Sequence, residues 1–371
     1  MERVRCDLLV VGSGAAGLTA AVTAAHHGLK VIVAEKEPVF GGTTAYSAGV
    51  IWIPCNALAV NAGIEDSAQA ALRYIQEEAG KFYDGPKAEA FVQAAPRMLE
   101  FMLANSHVRY QLIANWADYH PARPGASLGG RSLLPEPFDG RLLGDWFPLL
   151  RAPLPTMMLF GGMSVSRADI PHLLNATRSV RAGLHVLAML ARYARDRLRW
   201  HRGTALANGN ALIGRLAFTL RKRGVPLWVD SSATQLIERG SRVCGAYVRR
   251  AGVTMEVLAG KGVILACGGF PRSDEWRTRD YPHVAAGKNH NPLAPPGNTG
   301  DGIRMAIGLG AGMSDAANAA AWAPVSLSPG PGGAEMPYPH FIDRCKPGFI
   351  AVDRRGHGSP TRPTRTTTSS R

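Results

Sequence analysis

"CDLLVVGSGAAGLTAAVTAAHHGLKVIVAEKE" (residues 6–37) is the stretch that determines the fold. It begins with a short apolar run, Leu8 to Val11, which is typical of a buried parallel strand. A glycine motif ends this run, and an alanine-rich stretch of helical character follows until Gly28, a residue that suits a helix C-cap. A second apolar run, Val31 to Ala34, predicts a second strand. The order strand, glycine turn, helix, strand predicts an α/β fold of the Rossmann type.

The glycine motif itself predicts a dinucleotide site. Gly12, Gly14 and Gly17 have the GxGxxG spacing, in which the first allows a tight turn, the second admits a pyrophosphate and the third lets helix pack on strand. The N-terminus of the following helix offers N–H groups and a positive dipole end to the phosphates. Glu35, eighteen residues past Gly17, is placed to accept hydrogen bonds from a ribose diol. The alternative is a glycine-rich turn of some other α/β protein.

The next segment, "PVFGGTTAYSAGVIWIP" (38–54), carries a second glycine pair, then hydroxyl side chains and a further glycine. Small residues and hydroxyls after the second strand suit a backbone that lies along the rest of a long cofactor. A surface loop rich in turn formers is the alternative, but the apolar "VIWIP" that follows at once argues against it. We therefore expect this segment to continue the cofactor site.

Composition and charge narrow the range of partners. The 371 residues carry a net charge of +14, with 46% apolar and 19% charged residues, which is ordinary for a soluble enzyme of two or three domains. A basic chain can bind nucleic acid or a membrane surface, and "RYARDRLRWHR" (192–202) predicts a basic helix. No zinc-finger spacing and no aromatic-rich sheet pattern accompanies it. We therefore expect a solvated basic face and no nucleic-acid partner.

The five cysteines lie far apart with no CxxC pair. A scattered, odd set argues against a disulfide framework and favours a reducing cytoplasm. No apolar run reaches the length of a membrane-spanning helix, and the spacing of the N-terminal glycines argues against a signal peptide. We expect no metal site.

Several motifs, in order, resemble the flavoprotein family of fumarate reductase and 3-ketosteroid dehydrogenases. They are "GSGAAGLTAA" (12–21), "EKEPVFGGTTAYSAGVIWIP" (35–54), "NGNALIGRL" (208–216), "VILACGGF" (263–270) and "NTGDGIRMAIGLGA" (298–311). The match runs from residue 6 to about residue 357. The resemblance implies FAD as the cofactor. It also implies non-covalent binding, because Thr43 and Thr44 stand where relatives with covalent flavin use a histidine.

The resemblance also implies a domain organisation. Residues 1–270 are expected to form a Rossmann-like FAD-binding domain of α/β class with a mainly helical insertion at about 60–205. Residues 271–357 are expected to begin a partial α+β substrate-binding domain, and 358–371 to be a disordered tail.

The expected cofactor-binding residues lie in the two glycine segments, the strand near residue 234, the "ACGG" turn and the "TGDG" turn. Asp301 in the last turn also suits the N-terminal cap of the helix that follows, and the two roles are compatible. The expected residues are Gly12, Ser13, Gly14, Ala15, Ala16, Gly17, Glu35, Lys36, Gly41, Gly42, Thr43, Thr44, Ser47, Gly49, Val50, Ala233, Thr234, Ala266, Cys267, Gly268 and Asp301.

The expected reaction follows from two further segments. Dicarboxylate reductases of this family hold carboxylates with cationic groups, whereas "SDAANAAAWAPVSLSPGP" (314–331) is apolar with one acidic residue, which suits a bulky neutral ketone. The segment "DYHPARPGASLGGRSLLPEPFDGRLLG" (118–144) is similar to 3-ketosteroid 1-dehydrogenases. The resemblance implies removal of two adjacent hydrogens next to a ketone in a steroid-like substrate, with hydride passing to flavin N5. The sequence identifies no electron acceptor.

The family uses tyrosines as base and as hydrogen-bond donor to the carbonyl. The resemblance implies Tyr119 in this role, and Tyr338 in "EMPYPHF" is the second candidate. Alternatively, Tyr119 is an ordinary half-buried tyrosine in a proline-rich loop, and Tyr338 is a turn residue. His340 is a candidate catalytic residue only because histidine is a common acid or base. Two other functions remain open: a flavin-dependent enoate or fumarate-type reductase, and an inactive FAD-binding remnant.

The last residues, "DRRGHGSPTRPTRTTTSSR" (353–371), contain no Val, Leu, Ile, Phe or Met. The resemblance stops after His357, and the family's C-terminal segment, with further catalytic groups, has no counterpart. We assume GC-rich codons for the residues from about 358 onward. Reading these codons in a frame shifted by two bases then gives the amino-acid sequence with which the family continues. We therefore expect that the C-terminus is translated out of frame and that the family's C-terminal segment is missing, which puts the activity in doubt. Sequencing the coding DNA would test this. A genuine disordered basic tail is the alternative.

Overall fold

The computed structural model describes residues 1–313, 325–330, 333, 335–340, 352 and 356. A six-stranded sheet forms its centre. Its first four strands run parallel, and the last two extend it in antiparallel fashion. In sheet order the strands are β10 (Leu227–Trp228), β2 (Val31–Ala34), β1 (Arg3–Val11), β13 (Val253–Leu265), β12 (Arg242–Arg250) and β11 (Ser231–Arg239).

Both faces of this sheet are covered, which explains why its central strands are continuous apolar runs. Along β1, Val10 packs on one face with Leu18 of helix α1 (Ala15–His26), whereas Leu9 packs on the other face with Val257. Helix α7 (Asn208–Lys222) lies beside α1 and supplies much of the first cluster. The predicted Rossmann-type order is therefore present. The sequence also predicts a helix at about 210–223, and α7 confirms it.

The chain between β2 and α7 contributes mainly helices, together with small antiparallel sheets. The periodicity of the apolar residues at 67–82 and 88–105 predicts two helices, and α3 and α4 form there. The elements are β3 (Ile51–Trp52), α2 (Ala57–Asn61), α3 (Ala68–Ala79), α4 (Gly85–Asn105), β4 (Tyr110–Leu112), β5 (Ser132–Pro135), β6 (Phe138–Asp139), β7 (Met158–Leu159), β8 (Met163–Ser164), α5 (Ile170–Leu174), α6 (Val180–Arg197) and β9 (Ala205–Leu206). None of the helices in the described ranges is long and apolar enough to cross a bilayer.

Beyond β13 the described elements are α8 (Asp274–Asp280), α9 (Pro282–Ala285), α10 (Asp301–Ile307), β14 (Val325–Pro329) and β15 (Glu335–Pro339). The turn expected at Tyr338 is wrong, because this residue lies on β15 opposite Ser326 of β14. Prolines are tolerated there since β14 and β15 form a sheet of two edge strands. The tail 358–371 and residues 314–324 of the apolar segment lie outside the described residues.

Candidate functional site

A cavity of about 250 Å³ lies at the carboxyl ends of β1, β2 and β13. In parallel sheets this edge is where ligands bind. Six segments that are distant in sequence meet there, and most of the predicted cofactor residues line it. These residues are Gly12, Ser13, Gly14, Ala15, Ala16, Glu35, Lys36, Gly42, Thr43, Thr44, Ala233, Ala266, Cys267, Gly268 and Asp301.

Gly12 and Gly17 bring backbone against backbone beside the cavity. Gly12 has a φ of +103°, and a Cβ there would lie 2.3 Å from the carbonyl oxygen of Ala266. A Cβ on Gly17 would lie 2.0 Å from the carbonyl oxygen of Gly12. The glycine spacing therefore permits the contact of β1 with β13 and of α1 with β1. Gly17 contributes this packing and does not itself line the cavity.

Glu35 is held directly by the first glycine turn and indirectly, through Ser13, by the second. One of its carboxylate oxygens accepts hydrogen bonds from the backbone N–H of Ser13 (3.1 Å) and from the Ser13 hydroxyl, and the other accepts from the N–H of Glu37 (3.0 Å). Gly41 N–H in turn donates to Ser13 Oγ (3.0 Å). A carboxylate has about four lone-pair sites, so Glu35 retains acceptor capacity towards the cavity.

The hydroxyl-rich segment folds over the N-terminus of α1. Thr44 lies in a short 3-10 helix, Thr43–Tyr46, and its Oγ1 accepts the backbone N–H of Ala15 (3.1 Å). Thr43 Oγ1 accepts a hydrogen bond from the Asn298 side chain (2.8 Å). The segment after the second strand therefore joins the glycine turn to the residues before α10.

Lys36 and Asp301 form an ion pair across the cavity wall, with 2.5 Å between Nζ and Oδ2. Lys36 also donates to Thr299 Oγ1 at 2.9 Å. Burial raises the pKa of Asp301, but the hydrogen bonds from Lys36 and Thr299 and the charge of Lys36 outweigh it and hold this pKa below its ordinary value. The expected role of Asp301 as a helix cap is wrong, because the N-cap of α10 is Gly300 and no side chain caps it. Burial, with the nearby charge of Asp301, raises the pKa of Cys267 to about 11.

The other predicted residues lie behind or beside the cavity. Ser47 Oγ accepts the N–H of Gly49 (2.9 Å), and a Cβ on Gly49 would lie 2.7 Å from Gly209 of α7. Gly209 is therefore a supporting residue that sequence reasoning missed, although "NGNALIGRL" marked its segment. Thr234 donates instead to the carbonyl of Tyr247 (3.2 Å) on β12. Gly41, Ser47, Gly49, Val50 and Thr234 are absent from the cavity lining.

Arg151 lines the cavity and had no sequence signal, because the backbone brings it there from a distant segment. Its N–H donates to the Phe40 carbonyl (2.9 Å), which places it behind the second glycine turn. Its buried guanidinium has long contacts of 3.4 Å to Glu37 Oε2 and Tyr46 Oη. Its Nε has no hydrogen-bond partner in the described part of the chain. The other lining residues outside the predicted set are Val11, Ala34, Glu37, Ser231, Ser232, Pro295, Gly297, Asn298 and Met305.

The two candidate catalytic tyrosines lie apart from the cavity lining. Tyr119 is 58% exposed and follows Asp118, a buried residue that binds the side chains of Trp52 (2.7 Å) and Arg131 (2.8 Å). Tyr338 is half-buried on β15, with its ring against His340. Their catalytic roles stay predictions.

Arg131 connects Asp118 to a second buried carboxylate. Its guanidinium binds Asp66 at 2.6 Å and 3.0 Å, and Asp66 also accepts the N–H of Cys55 (3.0 Å). Burial raises the pKa of Asp66, but hydrogen bonds and charge from Arg131 outweigh it and hold the pKa below its ordinary value. We call Trp52, Asp66, Asp118 and Arg131 the buried network. It joins the strand after the hydroxyl-rich segment to the loop that carries Tyr119.

Comparison with known proteins gives matches that cover most of the chain. A family model described as "FAD binding domain" matches residues 7–362. The chain is 36% identical to 4-oxocyclohex-2-ene-1-carboxylate 5-dehydrogenase of Sinomonas cyclohexanicum, over 96% of this chain and 60% of that protein. It is 34% identical to 3-oxosteroid 1-dehydrogenase of Mycobacterium tuberculosis, over 94% and 61%.

One solved structure extends these matches to the fold. The 3-ketosteroid Δ1-dehydrogenase from Sterolibacterium denitrificans has a TM-score of 0.79 and 34% identity, covering 92% of this chain and 60% of that one. The chain therefore spans about 60% of the length of the relatives it matches. No group of three or more potential metal-ligating side chains occurs among the described residues.

Proposed function

This chain belongs to the family of flavoproteins with an FAD binding domain, and from this premise we propose that it is an FAD-dependent dehydrogenase of cyclic ketones. The reaction removes a proton from the carbon next to the carbonyl and a hydride from the adjacent carbon, leaving a carbon–carbon double bond. The observation that carries the proposal is the convergence of the glycine turn, Glu35 and the hydroxyl-rich segment on one cavity.

The residues at this cavity fit FAD. Glu35 keeps acceptor capacity for ribose hydroxyls, and the turn at Gly14 leaves room for a diphosphate at the N-terminus of α1. The Nε–H of Arg151 is buried and lacks a partner in the described structure. An anionic ligand would need such a charged donor. Bound FAD supplies a flavin ring that accepts the hydride.

Tyr119 is our candidate for the protein's own contribution to the proton transfer. A phenol can take the proton next to the carbonyl, or donate a hydrogen bond to the carbonyl oxygen as negative charge develops there. One such donor is worth roughly 3 kcal/mol of transition-state stabilisation. Its exposure leaves the hydroxyl accessible to a substrate. Tyr338 is the second candidate for the same chemistry.

Two substrate classes are supported by the relatives. The names of two relatives specify 3-oxosteroids and 3-ketosteroids, whereas the 36% identical relative acts on a single-ring oxo acid. We propose a steroid-like ketone first, because the segment 118–144 is similar to the steroid enzymes. The single-ring oxo acid is the second candidate.

Anaerobic reduction of the bound flavin tests the function. The FAD-loaded protein is mixed in separate experiments with a 3-ketosteroid and with 4-oxocyclohex-2-ene-1-carboxylate, and bleaching of the flavin spectrum is followed. Bleaching by the steroid supports the first substrate class, and bleaching by the oxo acid alone supports the second. If neither reduces the flavin, but an enoate reoxidises chemically reduced protein, the reductase alternative replaces the dehydrogenase. Protein that binds FAD and does neither is the inactive remnant.

A further inference from the structure

Helix α6 directs a stripe of apolar side chains into solvent. Val180, Leu184, Leu187 and Leu198 are between 62% and 88% exposed. Since each residue advances a helix by about 100°, these positions fall within a narrow sector of α6 and its C-cap. The inward face of an amphipathic helix normally carries such a stripe, so this helix is apolar on a side that the rest of the described chain leaves uncovered.

Two neighbouring elements extend the stripe. Phe160, at the tip of the β7–β8 hairpin, is 71% exposed, and its carbonyl accepts a hydrogen bond from Tyr193 of α6 (2.8 Å). Leu174 at the end of α5 is also exposed. The His185 side chain of α6 contacts Asp169, just before α5, at 2.8 Å. We call Phe160, Leu174 and the four residues of the stripe the apolar face.

The surroundings of the apolar face are basic. Residues 157–202 contain eight arginines and two aspartates, and both aspartates have internal partners. Asp169 accepts from Ser166 and His185, and the buried Asp196 accepts from the N–H and hydroxyl of Thr204 at 2.8 Å and 2.7 Å. By helical rotation, the exposed Arg181, Arg195 and Arg199 lie together along one border of the stripe.

We propose that the apolar face binds the surface of an anionic lipid bilayer. A helix that lies in a bilayer interface has an apolar face with basic residues beside it, and its affinity depends on buried apolar area and on attraction to anionic headgroups. A second copy of this chain would bring arginines against arginines, which disfavours self-association. The proposal goes beyond the dehydrogenase function and depends on this surface alone.

The test is co-sedimentation of the full chain with vesicles of phosphatidylcholine, alone or with about 30 mol % phosphatidylglycerol. We expect binding to the anionic vesicles that weakens as salt is added. The double variant Leu184→Gln/Leu187→Gln should lose roughly tenfold or more in affinity. Arg181→Gln/Arg195→Gln should lose roughly tenfold and much of the salt dependence.

The matched control replaces exposed apolar residues elsewhere, Val60→Gln/Val253→Gln, and should bind like the wild type. All variants change exposed side chains, and circular dichroism would check that they fold. The proposal is overturned if the wild type does not bind, if it binds neutral vesicles equally well, or if the control loses as much affinity. It is also overturned if the wild type is a dimer without lipid and Leu184→Gln/Leu187→Gln is a monomer.

Discussion

Arg151 is the residue at the cavity whose hydrogen bonding is least complete. Its Nη atoms lie 3.4 Å from Glu37 and from Tyr46, at the outer limit of a hydrogen bond, and its Nε has no partner in the described structure. A buried cation with weak partners is costly unless an anion pairs with it. Lys36, the other cation of the lining, already pairs with Asp301. Arg151 is therefore the cation we expect to meet the cofactor's diphosphate.

Arg151→Gln should weaken FAD binding by roughly tenfold, because a hydrogen bond to a charged group is worth about 1.5–3 kcal/mol. Titration of the apoprotein with FAD, followed by flavin fluorescence, measures this. ADP should lose affinity in parallel, whereas adenosine, which has no phosphate, should not. The control Arg249→Gln removes an exposed arginine on β12 and should leave all three affinities unchanged. Equal loss for adenosine would show that the substitution disturbs the fold and not a phosphate contact.

Tyr119→Phe tests the proposed proton transfer. We expect the rate of flavin reduction by the ketone to fall roughly 10²–10⁴-fold, because a positioned acid or base contributes about that much. FAD affinity should stay the same, since Tyr119 lies outside the cavity lining. Tyr83→Phe, a tyrosine elsewhere on the chain, serves as the control. A reduction rate that is unchanged in Tyr119→Phe would remove this residue from the mechanism.

Among the elements, the buried network joins β3 to the loop before β5. Arg131 and its two aspartates are almost wholly buried, so the guanidinium depends on these two side chains for its charge partners. A buried ion pair adds little net stability over apolar packing, but removing one partner costs about 3–5 kcal/mol. The network therefore fixes the geometry of the Tyr119 loop relative to the hydroxyl-rich segment.

Asp66→Asn should lower the free energy of unfolding by about 3 kcal/mol at neutral pH. The pKa of Asp66 is depressed in the folded protein, so its contribution is present above the ordinary value near 3.8 and is lost as pH falls through the folded value. The difference between wild type and variant should therefore shrink in acid. Urea unfolding at several pH values measures it.

The control for this prediction is Asp145→Asn, which breaks an exposed pair with Arg221. It should change the unfolding free energy by less than about 0.5 kcal/mol. If the Asp66→Asn variant is as stable as this control, the ion pairs of the buried network do not contribute to the free energy of unfolding.

For the whole molecule, the cavity depends on the folded chain from residue 11 to residue 305. Its lining comes from the glycine turn, the second glycine segment, Arg151, the start of β11, the turn after β13, and α10 with the residues before it. These segments are separated in the unfolded chain, so the unfolded chain presents no such site. A ligand that binds this cavity must therefore stabilise the whole fold by mass action.

FAD at 100 times its dissociation constant should raise the free energy of unfolding by about 2.7 kcal/mol, seen as a higher melting temperature. NAD at the same concentration should have little effect, because the second glycine segment extends the site beyond a simple dinucleotide turn. Equal stabilisation by NAD, or none by FAD, would contradict the assignment of this cavity to FAD.

The sequence by itself determined the features that depend on local backbone rules. The GxGxxG spacing between apolar runs predicted β1, α1 and β2, because only glycine permits those close backbone contacts. Ordered motifs also led to the FAD family. Tertiary structure decided what depends on contacts between distant segments: Arg151 at the cavity, Lys36 as the partner of Asp301, and the outward apolar stripe of α6. Periodicity shows that a helix has an apolar face, but only the packed fold shows whether that face meets protein or solvent.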